Sequence, residues 1–449
     1  ATNARTLFLR AGQFDMADGS VRRLRAVAGK MPAGVDVHLV YNGTRKFLQE
    51  LEKLEVNSIA QSVAVTYQSD LLRAKQEQAQ VRGVQLDFDV PSRLLPRYAQ
   101  IIAHLRTSLP PGTKLSLTGL PTWAYTSEIK NVLAQVDFWI PQCYGTKLPD
   151  HFTKEIPIQS PQEVAQTITR IRQLGKPFYA GLSAYSYAIL YGKDGSLVEL
   201  RGDLDPAWAA NHAQLTLLES RDFSVSSPHA SEKRYVYQAK SDVVLEGLIM
   251  RAGEYLMFDL PSAETLRASA RAVRENAGDK LLGICVFRLP VANDETTLST
   301  GEIVAALTDT PTRVANALTL QRGFSQQLQL RAENQGTANA VLSEDALTLD
   351  LEIPAGSYSG FTRVTGFSAI ETLCRWPGDD VVQPCSERRA NVLRLKARAW
   401  KPGTVAEITF AMKTEIPDTL GAVVAMRVND GRLVQEPFHL SVAEQRGQK

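Results

Sequence analysis

The chain has 449 residues, of which 44% are apolar and 22% charged, and its 50 Lys and Arg nearly balance 48 Asp and Glu to leave a formal charge of +2. This length exceeds the roughly 250–300 residues at which a single hydrophobic core stops growing, so two domains are expected. The near balance of charge argues against nucleic acid as a partner. No stretch of about 18 apolar residues predicts a membrane span.

Alternating segments from Thr6 to about Pro290 predict parallel strands joined by crossover helices. The predicted strands are TLFLRAG, VDVHLVY, GVQLDFDVP, KLSLTGLPTW, VDFWIPQCYG, PFYAGLSAYS and LLGICVFRLP. The segment SRLLPRYAQIIAHLRTSL carries apolar residues at helical spacing, and Ser262 is placed to cap a second helix, SAETLRASARAVREN.

These nearly continuous apolar strands predict a sheet covered on both faces, as in a barrel or a doubly wound sheet. No glycine loop for a dinucleotide or a phosphate occurs, which favours an α/β fold of the (β/α)8 TIM type over residues 1–308. Seven strands are found where eight are needed, so the first is missing from this N-terminus or supplied irregularly. The start at Ala1, without Met, is typical of a mature protein without its signal peptide or tag, and equally of a trimmed chain.

Two further regions differ from this alternation. Residues from about 185 to 251 are long, polar and aromatic, and are interpreted as an insertion on the top face of the barrel. Residues 309–449 contain short alternating runs with turn signals, which predict an antiparallel β-sandwich domain. Limited cleavage is expected near residues 300–315 or within 192–235.

The four cysteines indicate where in or outside the cell the protein is located. Cys374 and Cys385 flank a short polar stretch with the spacing of a local disulfide loop, whereas Cys143 and Cys285 lie in apolar runs. A bridge between the first two indicates export to the periplasm or beyond, and unpaired loop thiols in a cytosolic protein are the alternative.

Two carboxylates end the strand GVQLDFDVP. Alternation places Gln85, Asp87 and Asp89 on one face, with the two acids at the carboxyl end of a barrel strand, where barrel enzymes hold their active sites. Mutual repulsion should raise the pKa of one acid, which favours an acid/base pair. The alternative is a structural pair that accepts hydrogen bonds from loop amides or an arginine.

The series GVQLDFDVP, LSLTGLPTW, VDFWIPQCYG and GICVFRLP, over about residues 5–295, resembles the barrel of chitinase-like glycoside hydrolases. More closely, it resembles an uncharacterised bacterial family, domain of unknown function 3142. The first resemblance implies that Asp89 stands where those enzymes hold a proton-donating Glu and Asp87 where they hold a substrate-positioning Asp. It also implies that the Tyr144 hydroxyl hydrogen-bonds the reacting sugar. Two departures argue against classical chitinase activity: Arg82 and Gln85 stand where acids are expected, and Asp89 is one methylene shorter than Glu. Phe287 stands where chitinases hold a floor Trp.

The remaining candidates for substrate binding lie at other strand ends. They are Gln85, Trp123 as a sugar-stacking platform, Gln142 on the face of Tyr144, Tyr185 at the start of the insertion, and Arg288. Arg288 would bind an acidic sugar or neutralise the Asp pair. Trp139 is interpreted as a core residue.

Other chemistries have little support. The six His residues lack metal-ligand spacing, and Ser183 lacks the second Gly of a nucleophile elbow, so no metal or cofactor is expected. Two hypotheses follow. The chain is a glycoside hydrolase-like enzyme acting on a polysaccharide or oligosaccharide, or it is a non-catalytic carbohydrate-binding or cell-envelope scaffold protein with a degenerate barrel.

Overall fold

A computed structural model describes residues 4–17, 20–27, 29–147, 149–152, 157–202, 204, 206–221, 233–260, 262–291, 296–340, 343–376, 378, 381–428 and 432–443. The chain separates into two compact units. The first contains Ala1–Leu148, Ile156–Ser183 and Ala268–Phe287, and the second contains Pro149–Glu155, Ala184–Arg267 and Arg288–Lys449. None of the described helices is long and apolar enough to cross a membrane.

Within the described residues, the strands in chain order are β1 (Thr6–Ala17), β2 (Ser20–Arg25), β3 (Asp36–Gly43), β4 (Gln80–Asp87), β5 (Lys114–Gly119), β6 (Phe138–Pro141), β7 (Phe178–Ser183), β8 (Ala188–Tyr191), β9 (Leu197–Arg201), β10 (Leu215–Arg221), β11 (Lys233–Ala239), β12 (Val243–Leu245), β13 (Leu248–Met250), β14 (Tyr255–Leu260), β15 (Leu281–Phe287), β16 (Asn316–Arg322), β17 (Gln327–Asn334), β18 (Leu347–Glu352), β19 (Tyr358–Thr365), β20 (Ala369–Arg375), β21 (Val382–Pro384), β22 (Val392–Ala397), β23 (Val405–Met412), β24 (Thr419–Arg427) and β25 (Leu433–Ala443). The α-helices are α1 (Arg45–Glu50), α2 (Val56–Gln76), α3 (Leu95–Ser108), α4 (Ile129–Ala134), α5 (Pro161–Arg172), α6 (Pro206–Asn211), α7 (Ala263–Asn276) and α8 (Thr300–Leu307). Short 3-10 helices cover Ser92–Leu94, Pro121–Tyr125 and Gly278–Lys280.

The first unit is a mixed α/β structure built on one sheet in the order β15-β7-β6-β5-β4-β3-β1-β2. All seven strands predicted from the sequence are present and run parallel, and β2 adds an antiparallel hairpin to β1. The ring of Phe8 on β1 lies 6.0 Å from that of Tyr179 on β7, so the sheet curls until side chains from distant strands meet. The described strands β15 and β1 do not pair with each other.

Helix α3 has the apolar stripe that the sequence predicts. Its buried residues are Leu95, Tyr98, Ile101, Ile102 and Leu105. The predicted cap of α7 is also confirmed, because Ser262 Oγ accepts a hydrogen bond of 3.1 Å from the amide of Thr265. Burial of such stripes against the sheet is the main source of helix stability in a protein of this kind.

The predicted insertion folds into regular structure. Its strands form a five-stranded antiparallel sheet in the order β10-β11-β14-β8-β9 and a two-stranded hairpin of β12 and β13. The last strand reaches Leu260, beyond the predicted end near 251. Residues 222–232 of the predicted insertion lie outside the described residues.

The C-terminal region is a large sheet of ten strands in the order β19-β23-β17-β16-β25-β24-β18-β22-β20-β21. All its pairs are antiparallel except β16 with β25. Every second residue of β17 and β23 is buried, as the alternating sequence predicts. The apolar ones among these residues and the fully buried Trp400 belong to one hydrophobic core.

Cys374 and Cys385 form the predicted disulfide, with their Cα atoms 5.8 Å apart and a sequence separation of 11. On the chain-entropy model, closing a loop of this size stabilises the fold by about 3 kcal/mol. Reduction should therefore lower the free energy of unfolding by that amount in urea titrations with and without reductant. A double variant with serine at both positions serves as the control, because it should have the lower stability and no response to reductant. An equal midpoint for the oxidised and reduced protein would contradict this expectation.

The boundary at 308/309 stays a prediction. Limited proteolysis should cut near 300–315, where residues 308–315 connect α8 to β16, or within 192–235. Mass spectrometry of the products should show a persistent C-terminal fragment that begins near residue 310. If no fragment survives as a folded piece, the domains do not fold independently.

Candidate active site

The carboxyl end of β4 brings the two acids to the edge of the parallel sheet. Val84 and Leu86 are fully buried on one face, and Gln85 and Asp87 lie on the other. Because the strands run parallel, the carboxyl ends of β4, β5, β6, β7 and β15 meet at this edge, the usual position of active sites in such sheets.

Asp87 is the more enclosed of the two acids. The hydroxyl of Thr118, on the neighbouring strand β5, donates a hydrogen bond to its Oδ1. Burial raises the pKa of Asp87, and this rise is opposed by the hydrogen bond from Thr118 and by the charge of Arg10 on β1. The protonated form of this carboxyl is therefore favoured relative to an aspartate in water.

Asp89 lies two residues beyond Asp87, after the end of the strand. Its side chain reaches solvent, and within the described part of the chain it has no hydrogen-bond or ion-pair partner. Surrounding protein atoms remove part of its hydration, and this desolvation, followed by the charge of Asp87, raises the pKa of Asp89 to about 6. An accessible carboxyl with this pKa can hold and release a proton near neutral pH.

The aromatic residues at the ends of β6 and β15 are stacked on each other. Tyr144 follows β6 and is 9% exposed, and Phe287 ends β15 and is 48% exposed. Their ring centroids are 6.4 Å apart and their planes differ by 9°. Tyr144 is nearly buried beneath this contact, so Phe287 supplies most of the exposed apolar surface of the pair. Gln142 extends β6 through a bridge to Gly181 on β7.

Two predicted binding residues are in the core. Trp123 is fully buried, and its Nε1 donates a hydrogen bond of 3.0 Å to the carbonyl of Val90. The prediction that Trp123 forms a sugar-stacking platform is therefore wrong. The chain turns into the 3-10 helix Pro121–Tyr125 after β5, which directs the indole inward. Gln85 is 2% exposed and lies 3.5 Å from the hydroxyl of Ser116, which leaves no surface for a ligand. Trp139 is buried, as interpreted from the sequence.

Tyr185 and Arg288 belong to the second unit. The guanidinium of Arg288 lies 5.6 Å from the centroid of the Tyr185 ring, and its Nη2 donates a hydrogen bond of 2.9 Å to the carbonyl of Gly202. Through these two contacts the guanidinium of Arg288 holds the chain around Tyr185 and Gly202. The predicted roles of both residues in substrate binding stay predictions.

Sequence reasoning missed three residues around Asp87: Arg10, Asn42 and Thr118. Arg10 is the one charged residue of the predicted strand TLFLRAG, and such a charge in an apolar strand was a usable signal. Asn42 and Thr118 are polar residues near the carboxyl ends of β3 and β5, the two strands that flank β4. An alignment of the predicted strands by their carboxyl ends would have placed them beside Asp87.

A family model described as "Domain of unknown function (DUF3142)" matches residues 49–214. The resemblance to this family predicted from the sequence is therefore confirmed for that stretch, which contains both acids. No curated protein sequence matches the chain.

Similar solved structures include several chitinase-like proteins. A chitinase from Chromobacterium violaceum shows 14% identity and a TM-score of 0.42, covering 68% of this chain and 90% of that one. A glycoside hydrolase family 18 N-acetylglucosaminidase from Paenibacillus barengoltzii shows 12% identity and a TM-score of 0.43, covering 68% and 92%. A chitinase-like agglutinin from Robinia pseudoacacia shows 12% identity and a TM-score of 0.41, covering 68% and 93%. Similarities at this level say nothing about the activity of this chain.

Proposed function

We propose that the protein is a glycoside hydrolase-like enzyme that acts on a polysaccharide or oligosaccharide, with Asp89 as the general acid. One observation carries the proposal. Asp89 is an accessible carboxyl at the carboxyl end of a parallel strand, it has no partner among the described residues, and its pKa is raised to about 6 by its surroundings. A purely structural acid in the same position would be expected to accept hydrogen bonds or an ion pair.

The two acids would have different tasks in this enzyme. Asp89 would protonate the oxygen of the leaving sugar, which requires its carboxyl within about 3 Å of that oxygen. Asp87, which Thr118 holds in place, would position the substrate or act as a base or nucleophile. The exposed ring of Phe287, which is stacked on Tyr144, would support the sugar ring, and the hydroxyl of Tyr144 would contact the reacting sugar.

The proposal also covers the fold type of the two regions and the cellular location of the protein. The seven parallel strands would represent a (β/α)8 barrel in which the position between β15 and β1 is not filled by any described strand. The C-terminal sheet would form a sandwich domain. The disulfide between Cys374 and Cys385 supports export to the periplasm or the cell exterior, where such bonds persist.

A non-catalytic carbohydrate-binding or cell-envelope scaffold protein is the second candidate. The observation that favours it is the length of the Asp89 side chain, one methylene shorter than the Glu of the enzymes that the barrel resembles. A shorter acid fails to reach a glycosidic oxygen placed for a longer one, and the site would then bind a sugar without cleaving it.

A panel of polysaccharides separates the two candidates. We expect the wild-type protein to release reducing ends from at least one member. A non-catalytic binder would migrate more slowly through a gel containing one of the polysaccharides, without releasing any reducing ends. Release that persists unchanged in Asp89→Asn would show that another group, or a contaminating enzyme, is responsible.

A further inference from the structure

Asn42 is the neighbour of Asp87 on the strand opposite Thr118. The parallel register of β3 and β4 pairs Val40 with Gln85 and Asn42 with Asp87. Paired residues of adjacent strands project to the same face of a sheet. Asp87 therefore lies between two polar side chains, Asn42 from β3 and Thr118 from β5.

The side-chain oxygen of Asn42 is buried and has no hydrogen-bond partner in the part of the chain that the structure describes. A buried acceptor without a donor costs roughly 1–3 kcal/mol, so a nearby group is expected to supply a hydrogen. The hydroxyl of Thr118 is already used, because it donates to Oδ1 of Asp87. An ionised carboxylate has no hydrogen to give, whereas a protonated one has a single O–H.

We propose that Asp87 is protonated in the resting protein and donates its O–H to Oδ1 of Asn42, which makes Asn42 the residue that positions the proton of this acid pair. Asp87 then keeps its proton between Asn42 and Thr118, which favours its role in positioning the substrate over that of a base or nucleophile. Asp89 is the acid that exchanges protons with solvent and substrate. The assignment of the proton to Asp87 rests only on the register of β3 with β4 and on the burial of the Asn42 oxygen. Its consequence for catalysis rests on the proposed function.

The charges around Asp87 oppose one another. Arg10 on β1 favours the ionised form, and burial favours the protonated one. Asp89, two residues along the same chain segment, disfavours a second negative charge beside it. Tyr98 of α3 is fully buried and feels the charges of both acids, which raise its pKa after the larger effect of burial. A proton fixed on Asp87 removes one of the two negative charges from this enclosed region.

The proposal is tested by the sign of two pKa changes. Carboxyl carbon NMR of protein labelled at aspartate, assigned with Asp87→Asn, would follow Asp87 in an Asp89→Asn background, where the pair is no longer coupled. Asn42→Ala removes the acceptor of the protonated form, so the pKa of Asp87 should fall by about one unit, a tenfold change in its acid constant. Thr118→Val is the matched control, because it removes a donor to the ionised form and should raise the pKa.

Opposite signs for these two variants are the expected result. A rise in Asn42→Ala would overturn the proposal, because Asn42 would then donate its N–H to an ionised Asp87, and an unchanged value would show that the two side chains do not interact. If Asn42→Ala does not fold, Asp89→Asn decides: its infrared spectra near pH 6 should contain a protonated carboxyl band that disappears when Asp87→Asn is added. Absence of that band refutes the proposal. These readouts need no substrate, so loss of the proposed enzyme activity would not be confused with loss of this hydrogen bond.

Discussion

Replacing Asp89 by asparagine is expected to reduce the release of reducing ends from an unactivated polysaccharide by at least about 100-fold, the usual contribution of a general acid. The amide is nearly the same size as the carboxyl and does not donate a proton to the leaving oxygen. The loss should be much smaller on aryl glycosides with a good leaving group, because such leaving groups depart without protonation. Comparison of kcat/KM for the two substrate types measures this difference.

The pH dependence of the same variant gives a second check. The pKa of Asp89 rises from 3.8 to about 6 on folding, so the folded protein binds this proton more tightly than the unfolded chain. Ionisation of Asp89 therefore costs stability, a cost that begins near the unfolded pKa and is complete above the folded one. Wild-type activity should fall as the pH rises through about 6, and Asp89→Asn should gain melting temperature near pH 8 and none near about pH 3.

Asp137 provides a matched control for these effects. It lies just before β6, where Arg106 and the amide of Leu115 bind its carboxylate, and its pKa is lowered. Asp137→Asn should lower the melting temperature at neutral pH without any dependence of kcat/KM on the leaving group. If Asp89→Asn behaves like this control, Asp89 is a structural acid. Full activity of Asp89→Asn on an unactivated polysaccharide would end the catalytic interpretation of this strand.

The strand that carries the acids could be predicted because the pattern of its own residues is sufficient. Alternation within GVQLDFDVP separates the buried Val84 and Leu86 from the face of Asp87, and a short apolar run bounded by turns needs no knowledge of the rest of the chain. The same holds for the other six parallel strands and for the alternating strands β17 and β23. The periodicity of apolar residues within a segment shows which face of a strand is buried. The buried faces of these strands were therefore correctly predicted.

The partners of Asp87 were not predictable in the same way. Arg10, Asn42 and Thr118 lie 31 to 77 residues from it along the chain, and only the register of four strands places them around one carboxyl. An alignment by strand ends brings Asn42 and Thr118 near Asp87, but the sequence contains no local signal that fixes the exact register between parallel strands joined by helices. The strands of the insertion were not predicted for a related reason: they are short and pair only with one another, as β12 does with β13, and the sequence alone does not mark those partners.

The position of Trp123 is the clearest failure of inference from the sequence. An aromatic residue directly after a strand end suggested a surface platform, but the direction of a side chain beyond that end depends on the turn that follows. Here Pro121 begins a 3-10 helix, and the indole packs beside Tyr98, with ring centroids 5.8 Å apart. Its hydrogen bond to Val90 fixes the backbone immediately after Asp89.

This position predicts a large effect on stability. Trp123→Ala should lower the free energy of unfolding by about 3–5 kcal/mol, because it empties a fully enclosed site and removes the hydrogen bond to Val90. Trp123→Phe keeps most of the apolar volume and leaves that carbonyl without its donor, which should cost roughly 1–3 kcal/mol. Urea denaturation of the three proteins measures both differences. In the proposed enzyme Trp123→Phe should also lower kcat more than it raises KM, because it releases the segment that holds Asp89 without touching the sugar. A surface platform would give the reverse: nearly unchanged stability, with affinity for oligosaccharides lost in both variants.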